Sequence, residues 1–183
     1  MNFAPTIGLL AILLAPISLG AAEPMTTKSE FTSKITVSAT RAKNTKIEGG
    51  DFDDKRDKIT FSIKLKNSDP NRAFPGLKLE FYLFGQNIPN PKALELLQRY
   101  ETSVNLEPLQ EFETKTPEVV NEWDDTGAIF GSKYKGWYLL VYGPTGELLL
   151  EKHTTSFLDN PEKLSTTKVG GFYNRKLDPV SED

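Results

Sequence analysis

The sequence contains no cysteine and a single histidine, His153. The missing thiols exclude disulfides, thiolate catalysis and cysteine-based zinc sites, and one imidazole leaves little room for a histidine-rich metal centre. A secreted protein without disulfides must take its stability from the packing of its core. The 183-residue chain has a formal net charge of −3, which argues against binding to nucleic acid or to an anionic membrane. We therefore expect no cofactor, no metal ion and no nucleic-acid partner.

Charged side chains are also missing from the first 22 residues. Residues 7–15 (IGLLAILLA) form an apolar run, and the small residues Gly20, Ala21 and Ala22 follow it. This order is typical of a secretory signal peptide that is cleaved after Ala22. An uncleaved membrane anchor is the alternative, because about 20 apolar residues span a bilayer. We expect residues 1–22 to be a signal peptide and the protein to be secreted or held at the cell envelope or cell surface.

Alternation of apolar and polar residues dominates the rest of the chain. Apolar side chains occupy every second position in much of residues 31–39, 59–65 and 77–83. This is the pattern of a strand with one buried face. Residues 136–142 and 147–154 are longer apolar runs joined by a Gly-Pro-Thr-Gly turn, which predicts a central β-hairpin.

One segment departs from the strand pattern. Residues 92–100 (KALELLQRY) place Leu94 and Leu97 on one helical face, which predicts a short inserted helix. About six or seven short strands with one small helix favour an antiparallel β-sandwich of immunoglobulin-like type. A mature chain of about 160 residues corresponds to one domain. We expect residues 23–183 to form a single β-sandwich domain with a polar C-terminal tail.

An aspartate-rich loop at residues 49–57 is a candidate calcium site. Its four aspartates supply the oxygen ligands that Ca²⁺ prefers. Lys55 and Arg56 lie among them, however, and the spacing of an EF-hand is missing. A soluble turn is the simpler interpretation of this loop.

A second acidic group surrounds an aromatic residue. Glu122, Asp124 and Asp125 flank Trp123, and paired carboxylates beside an aromatic ring are typical of glycosidases and sugar-binding sites. No second partner is fixed elsewhere in the sequence, and residues 125–127 (Asp-Thr-Gly) also form an ordinary turn. His153 lies in a predicted strand without a nucleophile motif, and we expect it to be a surface residue. These observations favour a protein that is not an enzyme.

Aromatic residues are concentrated late in the chain. On the predicted strand 136–142, alternation places Trp137 on one face and Tyr138 and Tyr142 on the other. We expect Trp137 to belong to the core, and the opposite face to be either packed under the helix or available to a partner. The candidate ligand-binding residues are then Trp123, Asp124, Asp125, Tyr138 and Tyr142.

The hairpin carries a resemblance to a known group of proteins. Residues 135–149 (KGWYLLVYGPTGELL), followed by Thr154, Thr155 and Ser156, resemble a hairpin of small exported proteins of Verrucomicrobia such as Akkermansia. That group includes pilus-associated proteins with an immunoglobulin-like fold similar to archaeal type IV pilins. The resemblance implies a cell-surface or secreted protein and no catalytic residue.

Two functions remain open at this point. The first is a non-enzymatic surface-associated protein, structural, adhesive or pilus-related, that acts by protein–protein binding. Its expected partners are other envelope or pilus-associated proteins, and a second copy of the chain is an alternative. The second is a carbohydrate-binding module that uses Trp123 and takes host or mucin glycans.

Overall fold

The computed structural model describes residues 27–47, 55–127 and 129–181. The predicted signal peptide and most of the aspartate-rich loop lie outside these residues. Within them the chain forms one α-helix, one 3-10 helix and nine strands. In chain order they are α1 (Lys28–Lys34), β1 (Ile35–Ile47), β2 (Lys55–Asn67), β3 (Phe74–Asn87), β4 (Leu94–Leu106), β5 (Glu111–Lys115), β6 (Val119–Asp124), β7 (Phe130–Tyr142), β8 (Leu148–His153), the 3-10 helix (Pro161–Thr166) and β9 (Phe172–Tyr173).

The strands pair antiparallel and form one sheet folded into two layers. The first layer contains β1, β2, β5 and β6, and the second contains β3, β4, β8 and β9. Strand β7 connects them, because its first two residues pair with β6 and residues 132–142 pair with β3. The structure confirms the prediction of a mostly β, antiparallel sandwich.

The main core lies between the two layers, where each strand places every second side chain. The four apolar side chains at alternate positions of residues 59–65 are fully buried, as their alternation predicts. Trp137 of β7 is 7% exposed and packs against the rings of Phe61 and Phe81, with centroid distances of 6.2 and 6.0 Å. The prediction that Trp137 belongs to the core is confirmed.

A second core lies on the outer face of the second layer. Tyr138 and Leu140 of β7 point to this side and are buried beneath the C-terminal segment, residues 154–181. The segment contributes five buried apolar side chains, Phe157, Leu158, Leu164, Tyr173 and Leu177. The second face of the predicted hairpin is therefore covered by the C-terminal segment of the chain itself, including its 3-10 helix, and not by a helix at residues 92–100.

The strand predicted from residue 31 begins four residues later, at Ile35. Residues 28–34 form α1 instead, and Phe31 is buried as a helical residue. The Thr27 hydroxyl accepts a hydrogen bond from the Glu30 N–H, and the Glu30 carboxylate accepts one from the Thr27 N–H. This capping box starts the helix. The signature of the capping box, Thr27-x-x-Glu30, was present in the sequence. The helix that it starts takes the place of the strand that alternation predicted from residue 31.

The helix predicted over residues 92–100 is wrong, because β4 begins at Leu94. The pairing of β4 with β3 shifts by one residue at Leu97, which forms a β-bulge. The extra residue turns Leu97 toward the main core, whereas Leu94 and Leu96 face the second core. A strand buried on both faces and interrupted by a bulge thus produces an apolar spacing that resembles a helix.

Candidate functional site

Three of the five predicted ligand-binding residues lie where β6 turns into β7. Trp123 is 4% exposed, and its Nε1 donates a hydrogen bond to Asp57 Oδ2 at 3.4 Å. The ammonium groups of Lys55 and Lys133 lie 4.4 and 4.7 Å from the centroid of the indole ring. These cation–π contacts stabilise the ring in place. The indole is therefore covered by the protein and is not presented as a stacking surface for a sugar.

The two aspartates beside Trp123 hold the turn together. Asp124 is 1% exposed and accepts hydrogen bonds from the backbone N–H groups of Thr126 and Gly127, at 2.8 and 3.0 Å. Asp125 forms two ion pairs, the shorter with Lys55 at 2.7 Å. The hydrogen bond from Lys55 lowers the pKa of the Asp125 carboxyl group. Asp124 is thus engaged within the turn, and Asp125 is engaged by lysines of the neighbouring strands.

The two predicted tyrosines lie on the outer face of the second layer. Tyr138 is 1% exposed, and its hydroxyl oxygen accepts hydrogen bonds from the N–H groups of Phe157 and Leu158, at 3.3 and 3.2 Å. Tyr142 is half-buried, and burial together with the nearby Glu80 carboxylate raises the pKa of its hydroxyl. Tyr138 thus attaches the C-terminal segment to the sheet.

The structure does not bring the five predicted residues together. Trp123 pairs with Gly131 at the beginning of β7, and Tyr138 lies seven residues further along the same strand. A strand rises about 3.3 Å per residue, so this separation corresponds to about 23 Å. The acidic turn and the tyrosines therefore belong to different parts of the fold.

The other predicted acidic and metal-ligating groups also have structural partners. Glu122 pairs with Arg56 at 3.2 Å, and Asp57, the described aspartate of the loop at 49–57, pairs with Lys43 at 2.9 Å. In the part of the chain that the structure describes, no three His, Asp or Glu side chains come together to hold a metal ion. Every helix in that part is too short or too polar to cross a membrane.

His153 is half-buried, although the sequence predicted a surface residue. Its ring centroid lies 5.0 Å from that of Tyr138 across the β7–β8 pair. Its Nδ1 atom is buried and has no hydrogen-bond partner among the described residues. The histidine thus packs at the margin of the second core.

An ionic cluster on the outer face of β3 and β4 was not predicted from the sequence. Glu80 is 5% exposed and accepts hydrogen bonds from Lys78 Nζ at 2.6 Å and from the Tyr82 hydroxyl at 2.5 Å. Arg99 and Lys78 also pair with Glu101, at 2.5 and 3.2 Å. Burial opposes ionisation of Glu80, but the hydrogen bonds from Lys78 and Tyr82 outweigh it and lower its pKa. Burial and the Glu80 carboxylate raise the pKa of the Tyr82 hydroxyl.

This cluster also holds the C-terminal segment. The Arg99 guanidinium donates a hydrogen bond to the Ser165 carbonyl oxygen at 3.1 Å, at the end of the 3-10 helix. Because Arg99 is fixed by Glu101, the segment is attached to the sheet by a charge-assisted contact as well as by its apolar side chains.

A cleft of about 860 Å³ opens beside the second core. This volume lies toward the upper end of the range of ligand sites, about 300–1,000 Å³. Three segments form its walls: the β3–β4 connection at 86–94, the chain after β8 at 155–159, and the turn at 174–178. Lys135 of β7 completes the lining. We take this cleft as the candidate functional site.

The turn at 174–178 is a fixed wall of the cleft. Asn174 Oδ1 accepts hydrogen bonds from the N–H groups of Lys176 and Asp178, at 2.8 and 3.1 Å. Leu177 has a φ of 61°, a left-handed conformation that is strained for a residue with a side chain, and it is 3% exposed. Burial of the Leu177 side chain therefore holds the turn in a shape that the backbone alone does not favour.

The opposite wall is also preorganised. The Asn90 N–H donates to Asn87 Oδ1 at 2.7 Å, and Gln86 Nε2 donates to the Pro91 carbonyl oxygen at 2.8 Å. Both hydrogen bonds lie within the β3–β4 connection. The position of Lys92, the next residue of this wall, is thus set by a braced turn.

A β-bulge places Lys135 at the cleft. Phe84 of β3 pairs with Gly136, and the next residue, Gly85, pairs with Tyr134, so Lys135 has no partner on β3. A bulge redirects the side chain of the extra residue. Lys135 Nζ donates a hydrogen bond to Gln86 Oε1 at 3.2 Å.

The cleft was not predicted from the sequence, because its residues come from four segments between positions 86 and 178. The turn signals at residues 89–91 and 159–161 mark two of those segments. Lys92 directly follows the first of these turns, but no local pattern in the sequence predicts that it lines the same cleft as Lys135 and Lys176.

Comparisons with known proteins gave weak structural similarity to solved structures. No protein-family model and no curated protein sequence matches the chain. A crystal structure of a protein from Akkermansia muciniphila matches with a TM-score of 0.36 and 13% identity, covering 79% of this chain and 88% of that one. An X-ray structure of a Northeast Structural Genomics Consortium target matches with a TM-score of 0.35 and 9% identity, covering 67% and 87%. A β-glucosidase from Kluyveromyces marxianus in complex with glucose matches with a TM-score of 0.26 and 18% identity, covering 64% of this chain and 14% of the glucosidase. At these TM-scores and identities, no shared activity follows.

Proposed function

We propose that this protein is an exported, surface-associated binding protein with a structural, adhesive or pilus-related role. Its cleft receives a segment of another envelope or pilus-associated protein. The observation that carries the proposal is the cleft itself, which has braced walls on both sides and a volume suited to a ligand. Preorganised walls favour binding because little conformational entropy is lost when the ligand enters.

Two features of the sequence support export and a surface location. Residues 7–15 and the small residues at 20–22 have the order of a cleavable signal peptide. The hairpin at 135–156 resembles one in small exported proteins of Verrucomicrobia, a group that includes pilus-associated proteins.

Binding receives more support than catalysis. The sequence offered three carboxylates for acid–base chemistry, those of Glu122, Asp124 and Asp125. Glu122 and Asp125 each form an ion pair, and Asp124 accepts a hydrogen bond from the backbone of its turn. A carbohydrate-binding module that uses Trp123 receives less support, because the indole is 4% exposed. Loss of glycan binding in a Trp123→Ala variant would restore that alternative.

Site-specific photo-crosslinking tests the proposal. A photoreactive amino acid replaces Ser156, an exposed residue of the cleft, in the full chain expressed in its native cells. The matched control is the same replacement at Ser38, an exposed residue on the outer face of β1. The crosslinked partner is identified by mass spectrometry and then purified for a direct binding measurement.

We expect a specific crosslink to one envelope protein from position 156 and none from position 38. The purified partner should bind the protein, and the Ser156 variant bearing a bulky label should bind it less well. Equal crosslinking at both positions, or a partner that binds independently of the cleft, would refute the proposed function.

A further inference from the structure

Positive charge in the cleft is only partly neutralised. Its two carboxylates already have partners, since Asp159 pairs with Arg175 at 3.2 Å and Asp178 pairs with Lys163 at 2.7 Å. Three lysines of the lining remain, Lys92, Lys135 and Lys176. All three are exposed, and among the described residues no carboxylate lies within 4 Å of their ammonium groups.

This arrangement differs from that of the lysines on the first layer that are paired with carboxylates. On the outer face of the first layer, Lys58 pairs with Glu118 at 3.2 Å and Lys64 pairs with Glu113 at 3.0 Å. The whole chain is acidic, with 25 Asp and Glu against 22 Lys and Arg. The excess of positive charge at the cleft is therefore local, and a local field of one sign attracts ligands of the opposite sign.

The three lysines come from three separate segments of the cleft lining. Lys92 follows the β3–β4 turn, Lys135 is the bulged residue of β7, and Lys176 lies in the turn at 174–178. A ligand that carries several anionic groups along its length can contact all three. An acidic polypeptide has this property.

The remaining lining also suits a polypeptide. Leu94 and Phe157 form an apolar floor, and the hydroxyls of Thr155 and Ser156 are exposed and make no hydrogen bond within the described chain. The lining has a single aromatic residue, Phe157, which is 7% exposed and packs edge-to-face against Tyr138. Because a sugar ring typically stacks on an open aromatic face, the floor favours a peptide over a glycan.

We infer that the cleft binds an acidic, extended polypeptide segment, whose carboxylates pair with Lys92, Lys135 and Lys176. This inference rests on the proposed function and adds the chemistry of the partner. Each exposed ion pair is worth about 1.5- to 5-fold in affinity, so three together are worth about 3- to 100-fold. The interaction weakens as salt is added, because the pairs are open to solvent.

The test uses the mature chain, residues 23–183, and a labelled eight-residue peptide of alternating Glu and Ser. A peptide of alternating Gln and Ser is the neutral probe, and a chondroitin sulfate fragment is the anionic glycan probe. Binding is followed by fluorescence anisotropy, with the unlabelled fragment as competitor. The cleft variant combines Lys92→Gln, Lys135→Gln and Lys176→Gln. The control variant combines Lys28→Gln, Lys66→Gln and Lys115→Gln, which removes the same charge from exposed lysines outside the cleft.

We expect the acidic peptide to bind about 3- to 100-fold more weakly to the cleft variant than to wild type, and within about 2-fold of wild type to the control. Raising NaCl from about 50 to about 300 mM should weaken binding to wild type and have less effect on the cleft variant. Circular dichroism and thermal melts establish that both variants are folded.

Other outcomes overturn the inference in distinguishable ways. Equal weakening in both variants would mean a response to net charge, and absence of acidic-peptide binding would reject the inference directly. Tighter binding of the neutral peptide would leave the crosslinking proposal standing but not the acidic partner. Preferential binding of chondroitin sulfate would assign the lysines to a glycan. If Ser156 also fails to crosslink a protein, the proposed function fails with it.

Discussion

The ring of Phe157 lies directly against the backbone of Gly136. A Cβ atom at this glycine would be 2.6 Å from the Phe157 Cε1 atom, closer than two carbons normally approach. Phe157 belongs to the C-terminal segment and Gly136 to β7, next to the bulge at Lys135. The absence of a side chain at one position of β7 therefore allows the segment to pack onto the sheet and form a wall of the cleft.

A Gly136→Ala substitution should consequently displace the Phe157 ring. Overpacking of this kind lowers the free energy of unfolding by about 1–3 kcal/mol. We expect a lower urea midpoint and faster proteolysis after residue 154. Adding Phe157→Leu, which makes room for the methyl group, should recover part of the loss. An unchanged midpoint and unchanged proteolysis in Gly136→Ala would contradict this packing.

Truncation of Trp137 should lower the free energy of unfolding more than the Gly136→Ala substitution does. Trp137→Ala removes a side chain that is 93% buried among Phe61 and Phe81, and such changes cost about 3–5 kcal/mol. Since domains are stable by about 5–15 kcal/mol, the variant should unfold near body temperature or at low denaturant. Trp137→Phe, which keeps an aromatic ring, should lose less. A change within about 0.5 kcal/mol in Trp137→Ala is what an exposed residue would give.

The buried carboxylate of Glu80 predicts an acid-dependent loss of stability. Its pKa is lower in the folded protein than the usual value of about 4.3 for an unfolded chain. The stabilisation is therefore complete above the unfolded pKa and is lost as pH falls through the lower folded pKa. Glu80→Gln should lower the free energy of unfolding by about 1–3 kcal/mol at pH 7.

The difference between wild type and Glu80→Gln should shrink between about pH 5 and pH 3, because the wild-type carboxyl group becomes protonated. Urea titrations across this range measure it directly. Glu101→Gln, a more exposed member of the same cluster, is the matched control and should show a smaller effect. A difference that stays constant with pH would mean that the Glu80 charge does not contribute.

The mature protein should begin at Glu23. Gly20 and Ala22 are small residues at the −3 and −1 positions of the predicted cleavage site. N-terminal sequencing of protein isolated from the envelope or the medium checks this, and Ala22→Arg should block processing. Retention of Met1 on the native protein would favour the uncleaved anchor instead.

The local patterns of the sequence determined most of the strands. Residues 59–65 and 77–83 read as strands because apolar side chains occupy every second position in each. In the fold, the second face of residues 79–83 is buried as well. The β7–β8 hairpin followed from two apolar runs joined by a Gly-Pro turn. The lack of cysteine required a packed core, and Trp137 was assigned to it from its position on that hairpin.

Long-range contacts decided the features that the sequence did not reveal. The bulge at Leu97 is a matter of register between β4 and β3, so its spacing was mistaken for a helix. The burial of Tyr138 depends on a segment that follows it by more than 15 residues. The cleft exists because the segments that contain Lys92, Lys135 and Lys176, far apart in the chain, come together beside that segment. The alternation of apolar and polar residues indicates which face of a strand is buried, but only the tertiary structure determines which segment covers that face.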